Sequence, residues 1–74
     1  MTKETIKQMI GAEPFKPFSL RLRDGSLVPV PRPEFILVTQ GGRTAYVNVE
    51  GERVKILDLT LITAIEVGQG ASGG

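Results

Sequence analysis

Seventy-four residues make one domain near the lower limit for an unaided hydrophobic core, so association between copies is an expected source of support. Nine basic against eight acidic residues leave a net charge of +1, which selects neither an acidic nor a basic partner in bulk. With no cysteine and no histidine, disulfides and thiolate chemistry are excluded, nucleophilic catalysis lacks its usual base, and zinc and haem lack their ordinary ligands.

The chain starts Met1-Thr2-Lys3-Glu4, without the long apolar core of a signal peptide. Its longest purely apolar run, Phe35 to Val38, is far short of a membrane span. The expected setting is cytoplasmic, with no membrane partner.

Residues 2–10 read as a short helix. Thr2 can cap it, Glu4 suits the positive end of the helix dipole, and Gly11 can end it. Ile6, Met9 and Ile10 fall on one stripe, and a helix this short must dock to persist. Pro14 and Pro17 then bracket Phe15 and hold the chain extended.

Residues 18–23 and 26–31 read as a hairpin around Asp24-Gly25, a dipeptide suited to a tight turn. Phe18, Leu20 and Leu22 alternate with Ser19, Arg21 and Arg23, so one face is apolar and the other basic. A two-residue turn pairs Arg23 with Ser26, Leu22 with Leu27 and Leu20 with Pro29. That register leaves Val28 and Val30 on the outer face, whereas a slip of one residue would put them inside. Pro29, Pro31 and Pro33 share one parity, so their missing donors lie along one edge. This favours the two-residue register and an outer apolar face that something must cover.

Residues 35–40 form a third strand that is apolar on both faces, with Phe35 and Leu37 on one and Ile36 and Val38 on the other. Gly41-Gly42 turns the chain. Residues 44–49 and 52–57 read as a second hairpin around Glu50-Gly51, with Ala45, Val47 and Val49 opposing Ile56, Val54 and Glu52. Tyr46 and Asn48 oppose Lys55 and Arg53. Residues 59–65 fit either helical or strand spacing, and β-branched content favours a short 3₁₀-like corner before a last strand over 63–67. Residues 68–74 read as a flexible tail. The expected fold is α+β: one short helix and five or six short, mostly antiparallel strands, in a bent sheet or a small SH3/Sm-like barrel.

No catalytic, cofactor or metal site emerges. The acidic residues lack calcium-loop spacing, and Gly41-Gly42 lacks the helix that a phosphate loop needs. Asp24 reads as a turn residue and Asp58 as an acid capping a corner. Two surfaces remain. Val28, Val30, Ile36 and Val38 are surplus apolar positions suited to self-association, so a homo-oligomer is the expected partner state. Arg21, Arg23, Arg53 and Lys55 with Tyr46 would join cations to one stacking ring, as single-stranded RNA binding requires, although Glu34, Glu50 and Glu52 dilute the field. A solvated face is the favoured reading of that second set.

Two resemblances accompany these readings. From Ile10 to Val67 the chain carries Pro14-Phe15-Lys16-Pro17-Phe18, Leu20-Arg21-Leu22-Arg23-Asp24-Gly25, Pro33-Glu34-Phe35, Ile56-Leu57-Asp58-Leu59 and Ile62-Thr63-Ala64-Ile65-Glu66. This pattern resembles a group of small uncharacterised bacterial proteins. The group commonly has His-Pro-Glu-Phe in its middle motif, where this chain has Arg32, and it implies no assigned activity. The order of elements also resembles the bacterial Sm-like RNA chaperones (Hfq). That resemblance implies a ring-forming, RNA-binding SH3-like barrel in which residues 26–40 are one bent strand. The Lys-His pair of that family is missing, with Thr60 to Thr63 in its place, and paired prolines do not suit its bent strand.

The expected function is a non-enzymatic binding or self-associating module, with an RNA-binding barrel as the alternative.

Overall fold

The computed structural model describes residues 2–49 and 52–67. The expected tail over 68–74 and the Glu50-Gly51 turn lie outside the described residues. Helix α1 spans Lys3–Ile10. The Thr2 side chain caps it by accepting from the Thr5 N–H, and Gly11 closes it with its own N–H on the Lys7 carbonyl. Gly11 does this without a left-handed φ. The apolar stripe docks: Ile6 is fully buried, and Met9 and Ile10 pack on the core.

Strands β1 (Phe18–Leu22), β2 (Leu27–Val30) and β6 (Ile62–Val67) form one antiparallel sheet, in the order β2-β1-β6. Strands β3 (Ile36–Val38), β4 (Thr44–Asn48) and β5 (Val54–Asp58) form a second, in the order β3-β4-β5. The chain crosses between them at two 3₁₀ corners, Pro33–Phe35 and Leu59–Leu61. The fold is therefore α+β, and it does not close into a barrel. Residues 26–40 are not one bent strand. They are two strands in different sheets, parted by a corner that starts at Pro33, where a proline's lost donor costs nothing.

The inner faces of the two sheets share one core. Phe18, Leu20, Leu22, Val28, Val30 and Ile62 come from the first sheet, and Ile36, Val38, Ala45, Val47 and Leu57 from the second. Phe15 leans on this core beside Phe18, with ring centroids 5.9 Å apart and planes tilted by 56°.

Both hairpins differ from the sequence expectation by one residue, the partner strand shifting one position earlier in the first and one position later in the second. In the first, Leu20 pairs with Val28 and Phe18 with Val30. Leu22 donates its N–H to Ser26 O at 2.8 Å, and Gly25 donates to Leu22 O at 2.9 Å, so the loop holds three residues. A two-residue turn of the Asp-Gly kind needs positive φ at both positions. Here only Gly25 has it, at +92°, because Asp24 is held instead by hydrogen bonds from the Ser26 N–H and hydroxyl. In the second hairpin the Val49 N–H donates to Arg53 O, and Tyr46 pairs with Ile56 rather than with Lys55.

The slip in the first hairpin leaves the proline edge as expected. In either register the odd-numbered positions of β2 face away from β1, and β2 is an edge strand. What changes is the side-chain face. Val28 and Val30 are 1% and 0% exposed, and Ile36 and Val38 are 6% and 8% exposed. All four expected association residues are core residues, covered by their own chain.

Candidate functional site

Among the described residues, four of the seven large exposed apolar side chains lie on the outer face of β3-β4-β5, the others being Leu27, Leu61 and Val67. Because the pleat alternates sides, burying Ile36, Val38, Ala45, Val47 and Leu57 turns Leu37, Tyr46, Val54 and Ile56 outward. Leu37, Tyr46 and Ile56 stand in one row across all three strands, as the pairs Leu37–Tyr46 and Tyr46–Ile56. They are 65%, 41% and 64% exposed, and Val54 one step away is 51% exposed. Isolated exposed apolar residues are ordinary, but four on one face of one small sheet mark an interaction surface.

Beside Tyr46 the face dips into a shallow hollow of about 310 Å³, lined by Glu34, Phe35, Ile36, Leu37, Asn48 and Val54. The Pro33–Phe35 corner builds its far wall. Charges of both signs flank the face at its two ends. At the hollow, Arg32 and Glu34 form a loose ion pair at 3.9 Å. At the other end, Asp58 lies within electrostatic reach of Arg43. The Asp58 carboxyl accepts from the Thr60 N–H and hydroxyl, both at 2.9 Å, and these bonds with the Arg43 charge hold it below the usual carboxylate range. Its role as a corner cap is thus as the sequence suggested.

The five residues of the expected nucleic-acid face do not converge. Tyr46 is on the outer face of the second sheet, whereas Lys55 pairs with inward-facing Val47 and takes the opposite side. Lys55 lies instead near Asp24, whose acidity is strengthened mainly by the Ser26 hydrogen bonds and further by this lysine's charge. Arg21 lies on the other sheet and is held by Glu66 and by Gly25 O. Its guanidinium is raised further above its usual range by the hydrogen bond to Glu66 and by that carboxylate's charge. Arg23 reaches the Thr60 carbonyl at 3.5 Å. Arg53, opposite Val49, lies at the loop end of β4-β5.

A second hollow, of about 330 Å³, lies against Leu22, Arg23, Asp24 and Leu61. It offers one exposed apolar side chain and no convergent polar groups. Among the described residues, no three or more acidic groups gather as a metal site would require, and no helix is long and apolar enough to cross a membrane.

Comparisons with protein-family models, with curated proteins and with solved structures find no match to this chain. The site must be judged on its own geometry. Sequence reasoning missed Leu37, Val54 and Ile56 because β3 and β5 carry apolar residues at both parities. The signal available was Tyr46 flanked by polar Thr44 and Asn48, which marks one side of β4 as the outer one.

Proposed function

We propose that this chain is a non-enzymatic binding or self-associating module that works through the outer face of β3-β4-β5. The observation that carries the reading is the exposed Leu37–Tyr46–Ile56 row with Val54 beside it. The non-enzymatic part is supported by the lack of histidine and cysteine. It is also supported by the engagement of Asp24 and Asp58 in turn hydrogen bonds. A cytoplasmic setting in a bacterial cell belongs to the same reading, on the strength of the sequence resemblance. RNA binding is the less supported alternative, because its stacking ring and its cations sit on different surfaces.

The test is a photo-crosslinking amino acid placed at Leu37 or at Ile56 in the cell, with Lys16 as an exposed control position. Protein adducts are expected from the two sheet positions and not from the control. Equal or absent adducts at all three positions would remove the reading.

A further inference from the structure

We infer that an extended segment of another protein, apolar on one side and acidic on the other, adds to the second sheet as a fourth strand along the open edge of β5. The inference rests on the reading of this sheet as a binding surface and names the kind of partner it takes.

Strand β5 ends the order β3-β4-β5, so one of its edges is unpaired. An antiparallel ladder bonds alternate residues to the neighbouring strand and turns the N–H and C=O of the others away from it. The Val49 N–H donates to Arg53 O and the Leu59 N–H to Arg43 O, in the register of the β4-β5 pairs. The odd-numbered residues of β5 are therefore the ones bonded to β4. The N–H and C=O of Val54 and Ile56 point to the open edge, and among the described residues no other group bonds to them. Both residues are exposed. Such an edge accepts a strand through main-chain hydrogen bonds, with alternate side chains setting the choice of partner.

The other edges suit a partner less. Strand β2 presents Pro29, which has no N–H to give. Strand β3 packs beside α1, and its Ile36 and Val38 are buried. Strand β6 has a register break against β1 at Leu22, and its Glu66 is held by Arg21.

The side chains of β5 define the added strand. On the outer face its residues would lie beside Val54 and Ile56 and prolong the Leu37–Tyr46–Ile56 row, which calls for apolar groups. On the other side stand Lys55 and, one ladder step beyond β5, Arg53. Both are exposed, and neither forms an ion pair among the described residues. Asp24 lies within electrostatic reach of Lys55, but its carboxylate is taken up by Ser26. Opposite charges across a strand pair stabilise it and like charges oppose it, so this side calls for Asp or Glu. The same rule disfavours a second copy. Pairing Val54 with Ile56 across a two-fold axis sets Lys55 of one copy directly against Lys55 of the other.

The experiment titrates the isotope-labelled full chain with an end-blocked nonapeptide in which valine alternates with glutamate, followed by NMR and amide hydrogen exchange. The peptide is expected to protect the Val54 and Ile56 amides, and to leave those of Lys55 and Leu57, already bonded to β4, unchanged. Methylating alternate backbone nitrogens of the peptide should abolish binding. Replacing its glutamates by lysine should weaken binding at least about tenfold, and Lys55→Glu should reverse the preference between the two peptides. Lys55 is exposed, so the variant should fold, with circular dichroism as the check.

Binding that survives methylation, ignores the charge exchange or protects neither Val54 nor Ile56 would overturn the inference. Tighter binding of a uridine decamer than of the acidic peptide would overturn it as well. If the peptide fails while protein adducts still form at Leu37 and Ile56, strand addition is lost and the binding face stands with another kind of occupant. If both fail, both readings are removed.

Discussion

Tyr46 stands directly opposite Ile56 on the outer face of the second sheet, while Lys55 between Ile56 and Val54 faces the other way. This relationship decides the character of the surface. With Lys55 opposite Tyr46 the face would be cationic and aromatic. With Ile56 there it is apolar and uncharged at its centre.

The two faces of this sheet should respond differently to truncation. Val47→Ala removes two buried methyl groups and is expected to destabilise the chain by about 1–3 kcal/mol, from lost burial and the cavity left behind. Leu37→Ala and Ile56→Ala should each change stability by less than about 0.5 kcal/mol. Urea unfolding at low protein concentration, where self-association contributes little, measures all three. An equal loss at Ile56 and at Val47 would contradict a register that sets one outside and the other inside.

Leu20→Ala and Ile6→Ala test how the core is shared. Both side chains are fully buried, one on β1 and one on α1. Each substitution is expected to cost about 2–5 kcal/mol. The helix should melt together with the sheets, because at eight residues it has no stability of its own. Far-ultraviolet circular dichroism and ring-proton signals from Phe18 should therefore report one coincident transition.

Two glycines should behave oppositely. Gly25 has φ +92° with open space around its Cα, so Gly25→Ala suffers only the backbone penalty of about 1–2 kcal/mol. Gly41 is also in open space, but its φ is not in the left-handed region. Gly41→Ala should be neutral, or stabilising by up to about 1 kcal/mol, through a less flexible unfolded chain. Thermal unfolding of the two variants side by side checks the contrast.

Acid should weaken the fold through Asp24 and Asp58. Both carboxyls are held below the usual range in the folded chain, chiefly by hydrogen bonds from Ser26 and from Thr60 respectively. A depressed folded value means that the unfolded chain binds protons first as pH falls. The stabilisation is thus fully present above the unfolded carboxyl range and is lost as pH drops through the lower folded one. Asp58→Asn keeps a capping side chain but cannot titrate. Its melting temperature should lie below that of the wild type at neutral pH and fall less steeply with acidification, so that the two converge at low pH. Parallel curves would show that this carboxylate does not contribute to the acid response.

What the sequence determined by itself was local. Thr2 capping α1, the turn roles of Asp24 and Asp58, the proline-guarded edge of β2 and the corner before β6 depend on atoms a few residues apart, so their reasons are written in short stretches. The stripe of Ile6, Met9 and Ile10 was equally legible, because a helix with one apolar side has one way to dock. Which side of each strand went inside was not. Strands β2, β3 and β5 carry apolar residues at both parities, so either face could have been buried. The choice turned on the one-residue difference in strand register in each hairpin, and on how the two inner faces filled one core. A strand has a period of two, so that single-residue difference exchanged the faces completely. It placed Val28, Val30, Ile36 and Val38 in the core and set Leu37, Tyr46, Val54 and Ile56 on the open surface.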